Sequence, residues 1–153
     1  MFVPILFALT VGMTQIGKIT YVYYTLRKTM YTMARYVAVQ QGVNFCDAAD
    51  ATIVAAKNFA VSGSNTEDAS VPVLPNLTTD MISISIERVD ATTGALGECE
   101  CSVTGCDESA GGRAPDFIVV SIPNGYQVTP RIPFLTLDPI PLRPQVRVPF
   151  GGT

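Results

Sequence analysis

The sequence predicts an α+β chain: a long N-terminal helix, a short second helix, and a small, mostly antiparallel β domain. Three observations carry that expectation. Residues 1–17, MFVPILFALTVGMTQIG, hold no charged side chain, and apolar residues continue beyond them at steps of three and four. Residues 81–89 alternate Ile82, Ile84 and Ile86 with Ser83, Ser85 and Glu87, the period of a half-buried strand. Of the 11 prolines only Pro4 precedes Pro72, so the chain changes character along its length.

The first helix is expected from about Pro4 to Gln41. Pro4 falls in the first turn, where its missing N–H costs little. The stripe Ile19, Val22, Tyr23, Leu26, Met30, Met33, Val37 marks the packed face, and Gly42 is a natural stop. The uncharged first part would span roughly 25 Å, near the ~30 Å of a bilayer core. Asn44 or Asp47 is the expected cap of a second helix running to about Val61, with Ala51, Val54, Ala55 and Phe59 as its apolar face. Residues 62–80 are polar and punctuated by proline, hence a loop, and Asn76-Leu77-Thr78 has the form of a glycosylation acceptor. Residues 81–153 form the Pro-rich β domain: a strand at 81–89, a central strand at 116–122 extended by 126–129, and a last strand at 145–148. Proline cannot donate to a ladder, so the late proline-bearing segments belong at edges.

Charge divides the chain the same way. Residues 1–45 carry Lys18, Arg27, Lys28 and Arg35 and no acid, while residues 46–153 carry six basic and thirteen acidic side chains. Histidine is absent, which excludes a Ser-His-Asp triad, a Cys-His dyad and His-ligated zinc. With no Gly-rich phosphate loop and no convincing carboxylate pair, no enzyme and no cofactor is expected. The acidic outer half also argues against nucleic acid as a partner.

Four cysteines, Cys46, Cys99, Cys101 and Cys106, lie in the acidic half. Neighbours in a Cys-x-Cys rarely bridge each other without strain. One of Cys99 and Cys101 is therefore expected to pair with Cys106 and the other with Cys46, a staple worth roughly 2–4 kcal/mol. Metal binding is the weaker alternative, since thiolates and the nearby carboxylates favour different ions.

Three readings of the N-terminus compete. A cleaved signal peptide needs a basic start and a small-x-small site, and neither is evident. A simple anchor places its positive charges after the apolar run, which puts the β domain in the cytoplasm, against the cysteines. A helix processed from a basic leader, held in a membrane and then packed against copies of itself, removes the conflict.

The residues also resemble a known family. The run VPILFALTVGMTQIGKITYVYYTLRKTMYTMARYVAVQQG is similar to the N-terminal helix of TadE-like pseudopilins, from the tight-adherence branch of type IV pili. Pro4 matches that family's early proline. Gln15-Ile16-Gly17-Lys18 matches its Glu-Phe-Gly-Arg-like step, with Gln15 in place of the acid. Tyr21, Tyr23 and Tyr24 match its aromatics, and Met33-Ala34-Arg35-Tyr36 its Ala-Arg-Tyr-Ala-like element. The resemblance covers most of residues 3–60. It departs at the glutamate that pilins usually carry five residues into the mature chain, just after the leader-peptidase site: the fifth residue here is Ile5, and by this alignment the acid would precede Met1.

The resemblance implies a structural subunit that polymerises through its first helix into an extracellular filament after passing through the cytoplasmic membrane. Its implied partners are copies of itself, membrane lipid before assembly, the assembly machinery and a leader peptidase. Pro4, Leu6, Leu9, Gly12, Met13, Ile16, Gly17, Lys18, Tyr23 and Tyr24 are the residues expected to make the assembly helix. Lys18, and with it Arg27, is expected to meet an acceptor on another copy. The tyrosines read as boundary and packing residues rather than as a conducting stack. The alternatives are a minor pseudopilin, or a single-pass anchored binding module.

Overall fold

The computed structural model describes residues 2–63, 71–132 and 135–151. Residues 64–70 of the expected loop lie outside the described residues. Helix α1 runs Val3–Ala38 and helix α2 Ala51–Ser62. They are followed by strands β1 Ser83–Val89, β2 Leu96–Glu98, β3 Phe117–Ser121, β4 Tyr126–Val128, β5 Arg131–Ile132, β6 Leu135–Thr136, β7 Ile140–Leu142 and β8 Gln145–Pro149. The architecture is α+β: one long and one short helix, then small antiparallel sheets.

The main sheet has the order β2-β1-β3-β8, every pair antiparallel. Its register aligns Ile84 with Val120 and Ile86 with Ile118, and these with Val146 and Val148 on β8. One face is thus continuously aliphatic. The α1 stripe Val22, Leu26, Met30, Met33, Ala34 and Val37 packs onto it, with Ile53, Ala56, Ala60 and Val61 of α2, in one buried core. On the other face Arg147 reaches diagonally across β3 to Glu87, with N–O distances of 2.7 and 2.9 Å.

Several expectations are corrected. The segment 126–129 does not extend the central strand. Gly125 takes a left-handed φ of +75° and donates its N–H to the Ile122 carbonyl, and the reversed chain pairs β4 with β7 in a separate ladder. A Cβ on Gly125 would come within 2.8 Å of Pro141, so glycine alone fits this turn. β5 and β6 form a third, two-residue ladder. Helix α1 ends three residues early because the Ala38 carbonyl is taken by the Gly151 N–H at 2.9 Å; Gly42, at φ +72°, turns the chain after that.

The cap of α2 is neither Asn44 nor Asp47. Those two close their own turns, accepting from the Cys46 and Ala49 N–H groups at 2.9 and 2.8 Å. Asp50 takes the role, accepting from Thr52 and Ile53. The buried face of α2 is also rotated: Ala51, Val54 and Ala55 are exposed and Phe59 is half-buried. Its sequence ATIVAAKNFAVS is apolar nearly all round, so periodicity alone could not choose the face. On α1, Tyr23 leaves the buried stripe and is 41% exposed.

Candidate assembly surface

Helix α1 has two halves with opposite fates. From Val22 to Ala38 its stripe is buried. From Phe2 to Ile16 the large apolar side chains stand in the open: Leu6 is 61% exposed, Leu9 54%, Met13 69% and Ile16 66%. Exposed hydrophobes scattered singly are normal, but a contiguous helical sleeve of them marks an interaction surface. Within the described residues α1 is the one helix long and apolar enough to cross a membrane, by length and composition.

The residues expected to make the assembly helix fall mostly on this sleeve. Leu9, Gly12, Met13 and Ile16, with Ile5 and Ala8, line a shallow apolar groove of about 670 Å³. Leu6 and Tyr24 stand outside it, exposed. Pro4 lies in the first helical turn, and its side chain is outside the description. A Cβ at Gly12 or Gly17 would meet nothing within 4 Å, so no contact inside this chain requires glycine at either place. Both positions leave room for the close approach of a neighbouring helix. Lys18 is exposed and, among the described residues, makes no hydrogen bond or ion pair within the chain.

Most threonine hydroxyls of α1 are satisfied within the helix. Thr10, Thr14, Thr25 and Thr32 each donate their hydroxyl to a carbonyl one turn back, at 2.8 to 3.1 Å. These hydroxyls are not left orphaned toward lipid or a packed neighbour.

One contact was not foreseen from the sequence. Gln15 donates through Nε2 to the Arg131 carbonyl at 2.9 Å and accepts the Arg131 N–H at Oε1, 3.3 Å. Its amide thus completes the edge of β5 as another strand would, and fastens the β5–β6 hairpin to the C-terminal end of the sleeve. The available signal was the amide in place of the family's acid. A carboxylate could accept from Arg131 but could not donate to its carbonyl.

The cysteines close the far end. Cys46 pairs with Cys101 and Cys99 with Cys106, so none is free. The first bond ties the acidic loop to the segment just past α1. In the turn after β1, Asp90 accepts the Thr93 and Thr92 N–H groups, which hold its carboxyl below the usual carboxylate range.

A long apolar N-terminal helix followed by an antiparallel sheet with disulfides is a pilin-like architecture. The apolar helix points to a membrane or to secretion, and the disulfides to an extracytoplasmic location. No known protein family, curated protein or solved structure matches this chain.

Proposed function

We propose that the chain is a structural, non-enzymatic subunit of an extracellular filament of the type IV pilus kind, in the manner of the tight-adherence branch, built by packing its N-terminal helices. The observation that carries this reading is the bare sleeve of α1, continuous with a half that is fully built into a domain. At ~25 cal/mol per Å² such a surface left in water costs tens of kcal/mol, so it must be covered. Lipid and other copies are the two covers of matching chemistry. The membrane serves as the first and the filament as the second.

The Gln15–Arg131 pairing supports the packed form. With the hairpin fastened at Gln15, the free apolar length is residues 3–14, roughly 18 Å, short of the ~30 Å of a bilayer core. The described conformation suits a helix withdrawn from lipid better than one spanning it. Head-to-tail contacts that do not close then generate a fibre.

Electron microscopy of material shed by cells producing the chain tests the reading, with identification of the chain in the fibres by mass spectrometry. Fibres containing it as the main component are expected. A chain that stays monomeric in detergent and yields no fibres overturns the proposal in favour of a single-pass anchored module. A trace amount in fibres of another protein reassigns it as a minor subunit.

A further inference from the structure

The face of α1 turned away from the core carries a second pattern. Gly17, Tyr21, Tyr24, Lys28, Tyr31 and Arg35 follow one another at alternating steps of four and three, a seam opposite the buried stripe. Tyr21 and Tyr24 are 69% and 72% exposed. Tyr24, Arg27, Lys28 and Tyr31 surround a hollow of about 360 Å³, and Arg35 stands over the Tyr31 ring at 5.7 Å. Among the described residues, Arg27 and Lys28 make no side-chain hydrogen bond and no ion pair. No acid exists anywhere in residues 1–45 to supply one.

The complementary surface lies elsewhere on the same chain. Residues 90–112 hold Asp90, Glu98, Glu100, Asp107 and Glu108 and no Lys or Arg. Asp90, Glu98 and Glu100 line a polar cleft of about 430 Å³ between β2 and the Cys99–Cys106 loop. Arg88 reaches its wall, but the guanidinium donates to the carbonyls of Gly105 and Thr104, at 3.1 and 3.3 Å. The Cys46–Cys101 bond ties this loop to the segment just past α1, and among the described residues no acid is paired with the seam.

We propose that the acidic cleft of one copy seats on the Tyr24–Arg35 seam of the next. The inference rests on the filament reading and names one of its contacts. Two seams packed in register would set Lys28 against Lys28 and Arg35 against Arg35, with no acid between them, which like-charge repulsion disfavours. Cleft on seam joins opposite charges and desolvates the tyrosine rings between the cations. It also uses two different patches, so each joined pair keeps one cleft and one seam free and the contact propagates. An anionic bilayer would cover the seam and leave the cleft bare.

The test uses the full chain, ¹⁵N-labelled and unlabelled, mixed in detergent and allowed to assemble. A zero-length carbodiimide then joins amines to carboxylates. The expected product is a mixed-isotope peptide linking Lys28 of one copy to Glu98 or Glu100 of the other. Lys28→Glu with Arg35→Glu is expected to weaken association about tenfold at low salt, and Glu98→Lys with Glu100→Lys in the partner to restore it. Fibres that lack the mixed-isotope link overturn this contact and leave the filament reading standing. A chain that never assembles overturns both. If the seam variant loses binding to phosphatidylglycerol vesicles while copies associate as before, the seam belongs to lipid and the proposal fails.

Discussion

At the scale of single residues, Asp50 shows how local chemistry sets a helix boundary. Its carboxylate accepts N–H groups from Asn44, Thr52 and Ile53 at 3.1, 2.8 and 3.3 Å. Partial burial pushes its pKa up, but these bonds, with one from the Thr52 hydroxyl, outweigh it and leave the carboxyl below its ordinary 3.8. A lowered folded pKa means the contribution is present above 3.8 and is lost as the pH falls through the folded value. Asp50→Ala is therefore expected to cost about 1–2 kcal/mol in urea unfolding at neutral pH. The gap between variant and parent should narrow in acid below that range. Gly12 and Gly17 give the opposite kind of test. Nothing in the chain crowds their Cβ positions. Gly12→Ala and Gly17→Ala should each favour the helix by about 1 kcal/mol. If a neighbouring helix comes close there, fibre yield should drop while helicity by circular dichroism rises.

At the scale of elements, the two disulfides differ in what they constrain. Cys46–Cys101 joins residues 55 apart, and Cys99–Cys106 residues 7 apart. Loop-closure entropy assigns them about 4 and 2 kcal/mol. Replacing each pair by serine should lower the unfolding free energy in about that ratio, measured by denaturant titration. The larger loss should come with faster hydrogen exchange in α2, because Cys46 anchors the segment that leads into it. The β4–β7 ladder depends on a turn instead: the left-handed Gly125 and the Tyr126 hydroxyl, which donates to the Pro75 carbonyl at 2.6 Å. Burial pushes that phenol's pKa up. Its contribution is thus full below the ordinary 10.0 and fades as the pH rises through the folded value.

At the scale of the whole molecule, the chain is a packed domain carrying a bare apolar handle. The buried stripe of α1 begins at Val22, and the contacts ahead of it are few: Gln15 on Arg131, and Ile19 against the edge of the core. Removing residues 1–14 should leave the thermal transition within a few degrees of the parent. It should also abolish the need for detergent, read by sedimentation in plain buffer. A variant that unfolds instead would mean that the sleeve supports the domain, which its exposure does not suggest.

Much of this was legible in the residues themselves. The uncharged start and the three-four spacing specify a long helix, and the Ile-Ser alternation specifies the inward face of β1, because each pattern has a single period that one geometry satisfies. Proline's missing donor likewise puts the late segments at edges: Pro149 lies on β8, the outer strand, and Pro141 on β7 of a two-stranded ladder. Other choices needed the fold. The apolar ring of α2 offers several faces, and packing against α1 selected Ile53, Ala56 and Ala60. Asn44, Asp47 and Asp50 are all competent caps, and the two turns that Asn44 and Asp47 close leave Asp50 at the start of α2. The sequence by itself determined that the first seventeen residues must be covered by something apolar, since hydration free energy depends only on what the side chains are. Tertiary structure alone decided where that sleeve ends. It ends at Gln15, where a side-chain amide meets the backbone of a residue far along the chain, a pairing that no local pattern encodes.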